Sequence, residues 1–405
     1  MKGKIFAAII LIFFTSCEKG GNEDDTILKF FSKAYKDTGN SVAISKDEQG
    51  NDLYYYICGQ FTDSLSNNAK LRAGVLKAGL DGNMIGSATI SGDTESSAAK
   101  IIVLDDGDIV CTGYVLDSAS SKKDLFVWHL NPDFTTEKLK IYESPDNQYG
   151  VDILETLEGF LVLATTDSQR ESTGEFTGNP SGKKDILLVR IDSDLEPLSE
   201  IPAQGYNGDD EGIAMKADRR GGFIIVGTTD RSDLSSGQAG TNLIIIRLNS
   251  DGSTTQPRII GGTANEAASD FEVLSDGYLI AGTTGNPGTT QKGHIWKIPT
   301  DIYDAPEYEY EIDIDQVPYS LRAMCRYKTN SFLLAGQHGS GLSARMLIFS
   351  VDVYGTPDKE RMKITGGTGT QIANDVASGD SDNIITVGSS SYENNSMICF
   401  LKFRF

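Results

Sequence analysis

The chain has 405 residues and a formal net charge of −21, with 57 Asp and Glu against 36 Lys and Arg. This acidity argues against a nucleic-acid partner, because binding to phosphates requires a basic surface. With 3 His and 5 Cys, the composition also argues against a zinc enzyme and a disulfide scaffold. Hydrophobic residues make up 39% of the chain, which is enough for a packed core.

The first sixteen residues have the pattern of an export signal. Two lysines precede an apolar run at residues 5–14, which is too short to span a bilayer as a permanent helix. Cys17 follows Thr15 and Ser16 directly, and this arrangement resembles a bacterial lipobox, in which the cysteine is diacylated and the chain is cleaved just before it. We therefore expect residues 1–16 to be a lipoprotein signal peptide and Cys17 to carry the membrane anchor. The alternative is an ordinary secretory signal with an incidental cysteine.

Residues 17–26 are expected to form an acidic tether. Residues 18–25, EKGGNEDD, contain no hydrophobic side chain, so they should stay solvated. Position 18 is not the Asp that commonly retains lipoproteins at the inner membrane, and the acidic run resembles surface-export signals of lipoproteins in some Gram-negative bacteria. These features predict an outer-membrane location and favour the external face over the periplasmic one.

A strand-like run that ends in a small residue recurs seven times, with a spacing of roughly 50–60 residues. The runs end at Gly59, Gly113, Ala164, Gly227, Gly282, Gly336 and Gly388. Each copy contains short apolar runs separated by Asp and Gly, a pattern typical of antiparallel hairpins. The copy at residues 213–262 shows four such strands. Seven copies of four strands predict an all-β, seven-bladed β-propeller over residues 27–405, with almost no helix.

Closure of the ring is predicted from the two ends of this region. The last copy ends with its third strand, at Met397–Phe405, and Ile27–Tyr35 reads as a lone strand before the first copy. Pairing of these two segments would complete the last blade and leave the ring of blades without a free edge.

The copies resemble the seven-bladed β-propeller repeat family abbreviated SBBP. Residues 212–262 and 263–298 follow its pattern best, with a strand ending in Gly, a polar loop, an Arg/Lys-Leu-Asn-x-Asp-Gly-like turn and a closing Gly-Gly, whereas blades 1, 2 and 6 diverge from it. The resemblance implies a propeller fold and an exported location, and it implies no defined reaction.

Three acidic residues share a position near the start of the first strand: Asp152, Asp270 and Asp375, with Lys100 in the second copy. First strands line the channel of a propeller, so these carboxylates could meet at its mouth and hold Ca²⁺ or Mg²⁺ through oxygen ligands. Alternatively, each Asp accepts backbone N–H bonds in its own inter-blade turn. The repeat alone can produce such a column, so the backbone role is favoured and no cofactor is expected.

Two further sets of residues are interpreted as structural. A basic column on the third strands is expected to form cross-strand ion pairs or to face solvent, rather than a ring for an anionic ligand. Trp128 and Trp296 are expected to pack in the core rather than stack on a sugar, and the four later cysteines should be buried and free. The column comprises Lys77, His129, Arg190, Arg247, Lys297 and Lys402, with Ser350 as the exception, and the cysteines are Cys58, Cys111, Cys325 and Cys399.

The loops after the second strands are either binding loops or solvated connectors. They vary in length and are rich in Ser, Thr, Asn and Gly, as in His338–Ser343 and Ser389–Asn395, and variable loops on a rigid repeat are where binding usually occurs. No Gly-x-Ser-x-Gly or His-Glu-x-x-His motif occurs in the sequence. The favoured function is a monomeric, non-enzymatic propeller that binds a protein or a glycan. The alternative is a hydrolase or lyase with a metal-assisted site at the channel mouth.

Overall fold

The computed structural model describes residues 26–32, 36–62, 70–167, 184–206, 208–230, 240–262, 264–393 and 395–405. Within these residues the chain forms seven four-stranded antiparallel sheets. Two short 3₁₀ turns, Gly341–Ser343 and Asp380–Asp382, are the helical elements of the described part. The predicted all-β, seven-bladed propeller is confirmed. No helix in the described residues is long and apolar enough to cross a membrane.

The strands follow one another in chain order through the blades. They are β1 (Ile27–Phe31), β2 (Thr38–Lys46), β3 (Asp52–Thr62), β4 (Leu71–Ala78), β5 (Met84–Thr89), β6 (Ser96–Val103), β7 (Ile109–Leu116), β8 (Lys123–Leu130), β9 (Glu137–Tyr142), β10 (Gln148–Thr156), β11 (Gly159–Thr166), β12 (Asp185–Asp192), β13 (Pro197–Gln204), β14 (Asp210–Ala217), β15 (Phe223–Thr229), β16 (Asn242–Leu248), β17 (Arg258–Ile260), β18 (Glu266–Val273), β19 (Gly277–Thr284), β20 (Lys292–Pro299), β21 (Tyr308–Glu311), β22 (Tyr319–Lys328), β23 (Ser331–His338), β24 (Arg345–Asp352), β25 (Pro357–Thr365), β26 (Thr370–Ser378), β27 (Ile384–Tyr392) and β28 (Asn395–Phe403). Blades 1 to 6 take four consecutive strands each from β2 onward, and blade 7 combines β26, β27, β28 and β1.

The middle strands are apolar on both faces because each blade packs between two others. In β16, Ile244 and Ile246 pack into the core shared with blade 3, whereas Leu243 and Ile245 pack into the core shared with blade 5. This double burial explains the unbroken apolar runs, because a strand covered on both faces has no polar side to alternate with. The outer strand of the same blade, β17, has only three residues and begins directly after Pro257, which has no N–H to donate to a ladder.

The ring closes as predicted. The β1 strand pairs antiparallel with β28, from Ile27 opposite Lys402 to Phe31 opposite Ile398. Phe400 on β28 packs against the rings of Phe31 and Tyr55, with centroid distances of 6.5 and 5.6 Å. The closing strand ends at residue 31 rather than 35, and residues 33–35 lie outside the described part of the chain. The first strands of neighbouring blades contact one another around the ring, including β26 with β2, so they form the wall of the central channel.

Candidate functional site

A β-bulge interrupts the first strand of every blade at the same place. The pairing with the second strand skips one residue at Asn40, Ala99, Val151, Ile213, Ser269, Arg322 and Asn374. A bulge bends the strand and redirects the side chains beside it. The residue that follows each bulge forms the column noted in the sequence: Ser41, Lys100, Asp152, Ala214, Asp270, Ala323 and Asp375. Asp152 stands at the centre of β10, so the column lies midway along the wall rather than near the start of the strands.

Each of the three column aspartates ties its blade to the next one. Oδ2 of Asp152 accepts the N–H of Met215 in blade 4 at 2.8 Å. Asp270 accepts the N–H of Met324 in blade 6 at 3.0 Å. The other oxygen of each carboxylate accepts the N–H of its own following residue, at 2.9 and 2.7 Å. The predicted bonds to backbone N–H are therefore present, but one donor lies in the same strand and the other in the next blade's first strand, and neither lies in a turn.

Asp375 makes the same connection across the point where the ring closes. Its Oδ2 accepts the N–H of Val42 at 3.0 Å and the hydroxyl of Ser41 at 2.6 Å, both in blade 1. Its Oδ1 accepts the N–H of Val376 at 2.8 Å. The ammonium of Lys100 lies 3.6 Å from Oδ2, and Asp375, followed by Asp152 and Asp270, raises the pKa of that lysine above its ordinary value.

A second ionic group extends the column along the channel wall. Lys216 lies 2.7 Å from Glu272 and 3.6 Å from Asp270. Burial alone would lower the pKa of Lys216, but these two carboxylates outweigh that effect and raise it. Burial raises the pKa of Asp152, and the charge of Lys100 opposes that shift. The channel wall thus carries interleaved acidic and basic groups that neutralise one another.

The metal hypothesis depends on carboxylates that meet at one point. The three aspartates lie in alternate blades, 3, 5 and 7, and their oxygens accept backbone N–H groups. No group of three or more His, Cys, Asp or Glu side chains among the described residues is arranged to hold a metal ion. A Ca²⁺ or Mg²⁺ site at Asp152, Asp270 and Asp375 stays a prediction.

The basic column on the third strands forms ion pairs within blades, as expected, and it also forms bonds between blades. His129 lies 2.9 Å from Asp108, and Lys297 lies 2.9 Å from Asp276. Lys402 donates to the carbonyl of Leu80 at 3.0 Å. These partners lie in turns at the end of the blades opposite the long loops. The basic column therefore has a structural role in joining strands and turns.

The remaining candidate groups are mostly buried in the core. Trp128 and Trp296 are 0% and 1% exposed, as expected. Cys58, Cys111 and Cys399 are buried and free, whereas Cys325 is free but partly exposed. His294 stacks against Trp296 at a centroid distance of 4.3 Å, and neither of its ring nitrogens has a hydrogen-bond partner among the described residues. Burial lowers the pKa of His294 to about 4.

The structure brings two of the predicted binding loops together at one cleft. It measures about 400 Å³ and is lined by Leu342, Arg345, Gly366, Gly367, Thr368, Gly369 and Tyr392. Leu342 lies in the His338–Ser343 loop of blade 6. Tyr392 is the last residue of β27, because most of the segment predicted as the Ser389–Asn395 loop continues the hairpin of β27 and β28. The exposed fractions of Leu342 and Tyr392 are 70% and 49%, so both present apolar surface to solvent.

The floor of this cleft is the connection between blades 6 and 7. Arg345 donates to the carbonyl of Gly369 at 3.0 Å, and Gln371 accepts the N–H of Gly367 at 3.0 Å. Gly369 has a φ of +92°, a conformation that L side chains rarely adopt. The sequence singled out the two loops, but nothing in it indicated that they meet over a glycine-rich floor.

No protein-family model matches the chain, and no curated protein matches it in sequence. Solved structures match it in fold. Raptor from Chaetomium thermophilum superposes with a TM-score of 0.54 at 10% identity, over 93% of this chain and 29% of Raptor, so this chain spans less than a third of that protein.

Two further structures match at similar levels. An α-L-arabinofuranosidase from Fusarium graminearum gives a TM-score of 0.50 at 10% identity, over 94% of this chain and 97% of that one. An acylaminoacyl peptidase from Pyrococcus horikoshii gives a TM-score of 0.50 at 13% identity, over 89% of this chain and 50% of the peptidase. At these identities the likeness shows the fold alone, so the chain is a seven-bladed β-propeller and its membership of the SBBP repeat family stays a resemblance.

Proposed function

We propose that this protein is a lipid-anchored, surface-exposed propeller that binds a ligand on its long-loop face, with no catalytic role. The observation that supports this most directly is the cleft between blades 6 and 7. It combines an exposed aromatic ring, an exposed leucine and backbone polar groups of a glycine-rich segment. An aromatic face beside hydrogen-bonding groups suits a sugar ring, because the ring packs its C–H face on the aromatic and its hydroxyls need polar partners.

The cleft favours a neutral glycan over a protein ligand. Its volume of about 400 Å³ is within the usual range of small-ligand pockets. Its one charged side chain, Arg345, already donates to the carbonyls of Ala344 and Gly369 at 2.9 and 3.0 Å. A standard protein–protein interface would need a much larger contact area, about 800 Å² on each partner.

Binding to an array of neutral oligosaccharides tests this assignment. We expect Tyr392→Ala to lower the affinity for the bound glycan at least about tenfold, since loss of an aromatic contact costs about 1.4 kcal/mol or more. Tyr354→Ala is the matched control, because Tyr354 is 63% exposed but lies in the turn between β24 and β25, outside the cleft. Absence of glycan binding, or equal losses in the two variants, contradicts the glycan assignment. Binding only to peptide ligands would move the proposal to a protein partner.

The enzymatic alternative would use Asp152, Asp270 or Asp375 with a bound metal. Catalysis by these groups would require carboxylate oxygens that are available to a metal or substrate. Each of them instead accepts N–H bonds that join two blades. This arrangement favours the binding function.

The anchor is a separate part of the proposal, because Cys17 lies outside the described residues. Cys17→Ala should abolish incorporation of labelled fatty acid and move the protein from the membrane to the soluble fraction. Cys325→Ala is the control and should change neither result. Protease digestion of intact cells tests the external location, and resistance to digestion would place the propeller on the periplasmic face. Unchanged acylation of the Cys17 variant would show that the lipobox was misread.

A further inference from the structure

The third strands of six blades carry a residue of the basic column, and the third strand of the remaining blade lacks one. In blade 5, the Lys297 ammonium lies 2.9 Å from Asp276 and 3.5 Å from Glu307, and the side chain is only 3% exposed. In blade 4, Arg247 forms an ion pair with the buried Asp218. A cation at this position in these two blades therefore holds together the turns at the end of the blade.

Blade 6 has Ser350 at the equivalent position, and a cleft of about 320 Å³ opens there. Ser350 stands directly opposite Asp358 in the register of β24 and β25. Asp352, Arg361 and Ser331 also line the cleft. The place that a long basic side chain fills in blades 4 and 5 is thus left open in this one.

One polar group in the cleft is short of a partner. Ser350 is 2% exposed and lines the cleft. The Oγ of Ser331, which lines the same cleft, is buried without a hydrogen-bond partner among the described residues. Buried hydroxyls are normally hydrogen-bonded, so the Ser331 hydroxyl at this cleft indicates a missing polar ligand.

The charge of the cleft points to a cation. Oδ1 of Asp352 accepts the N–H groups of Tyr354 and Thr356, each at 2.8 Å, while its Oδ2 takes no part in these turn bonds. Oδ2 of Asp358 lies 3.7 Å from Arg361, which is 41% exposed on its side-chain atoms. This pair is long and open to solvent, and such pairs contribute little stability.

We propose that the cleft in blade 6 binds a primary alkylammonium group, which enters along the path that the repeat's own lysine takes in blade 5. Asp352 and Asp358 supply the negative charge, and the hydroxyls of Ser350 and Ser331 accept the remaining N–H bonds of the ammonium. The group can come from a lysine side chain of a partner or from a free diamine. This site lies at the opposite end of the blades from the proposed glycan cleft, so the two proposals are independent.

Isothermal titration of the full-length protein with cadaverine tests the site. The unmodified protein should bind, and Ser350→Lys should weaken binding at least about tenfold, because the new side chain would fill the cleft as Lys297 does in blade 5. The same substitution should raise the melting temperature. Ser118→Lys, at an exposed turn position, is the control for added charge and should leave both values nearly unchanged. Asp358→Asn provides a second route to the same loss if Ser350→Lys does not fold.

The source of the ammonium is distinguished by two more ligands. Nα-acetyl-lysine N-methylamide should bind with at least the affinity of cadaverine if the natural ligand is a lysine side chain, and more weakly if it is a free diamine. Its Nε-acetylated form should not bind, because it has no charge. No binding of any amine, or equal loss of binding in Ser350→Lys and Ser118→Lys, overturns the proposal.

Discussion

Asp375 joins blade 7 to blade 1. Of the three aspartates that join neighbouring blades, it should be the one whose loss lowers the free energy of unfolding most. Two donors from blade 1, the N–H of Val42 and the hydroxyl of Ser41, bind its Oδ2, and Lys100 lies 3.6 Å away. Asp152 receives one such bond from its neighbouring blade, the N–H of Met215. Asp375 is 7% exposed and Asp152 is 6% exposed, so a difference in stability between variants at these two residues does not come from a difference in burial.

The expected magnitudes follow from these contacts. A hydrogen bond to a charged group contributes about 1.5–3 kcal/mol, and removing one partner of a buried charge pair costs about 3–5 kcal/mol. Asp375→Ala should therefore lower the free energy of unfolding by about 3–5 kcal/mol. Asp152→Ala should lower it by about 1.5–3 kcal/mol, since it removes a single connection between blades.

Urea unfolding followed by tryptophan fluorescence measures both values. Trp128 and Trp296 are buried in blades 2 and 5, so their emission reports loss of packing in two separate parts of the ring. Asp375→Asn is a useful third variant, because it retains an acceptor oxygen and removes the charge that faces Lys100. The reasoning is that the variant that removes more hydrogen bonds at equal burial loses more stability. It would be refuted if Asp375→Ala and Asp152→Ala lowered the free energy of unfolding equally, or if Asp375→Ala lowered it by less than about 1 kcal/mol.

Three other predictions concern ionisation and metal binding. Burial lowers the pKa of His294 from 6.5 to about 4, so the unfolded chain binds a proton more readily than the folded one. Acidification from pH 7 to 5 should therefore lower the free energy of unfolding by about 1–2 kcal/mol, a value that allows for solvent screening of the partly exposed ring. The variant His294→Phe should not show this loss. Burial raises the pKa of Asp210 above 3.8, so the folded chain holds the proton of this carboxyl more tightly than the unfolded chain does. Its contribution to the free energy of unfolding should therefore fall as the pH rises above about 4, and Asp210→Asn should lack this decline. We expect neither Ca²⁺ nor Mg²⁺ to raise the melting temperature, and a clear gain that Asp270→Ala abolishes would instead establish the metal site.

Much of the fold could be predicted because its determinants are local. The turn at Asp218–Gly222 uses two glycines with φ of +83° and +77°, conformations that glycine adopts readily and that a Gly-Gly pair in the sequence therefore indicates. The apolar run of β16 and its counterparts repeat at a regular spacing, so the number of blades could be counted. The position of the closing strand followed from the strand missing in the last copy.

The site could be predicted less well because its contacts are long-range. The partner of Asp152 is the N–H of Met215 in another blade, and the bulge at Val151 that orients the carboxylate could not be recognised from the residue types around it. Ser350 was visible as an exception to the basic column, but the cleft beside it depends on the register that puts Asp358 opposite. Leu342 and Tyr392 lie in different blades, and they meet only when blades 6 and 7 pack against each other.

Ring closure between β1 and β28 has a consequence for the order of folding. Ile27 pairs with Lys402, so the seventh blade cannot be completed before nearly the whole chain is available. Closing a flexible loop of this length would cost roughly 5 kcal/mol of chain entropy plus a constant. Blades 1 to 6 consist of consecutive strands and can form first, and once they pack in sequence they bring β1 near β28 and remove most of that cost. The closing pair should therefore form late, and variants that weaken it should speed unfolding while leaving the early phases of folding nearly unchanged.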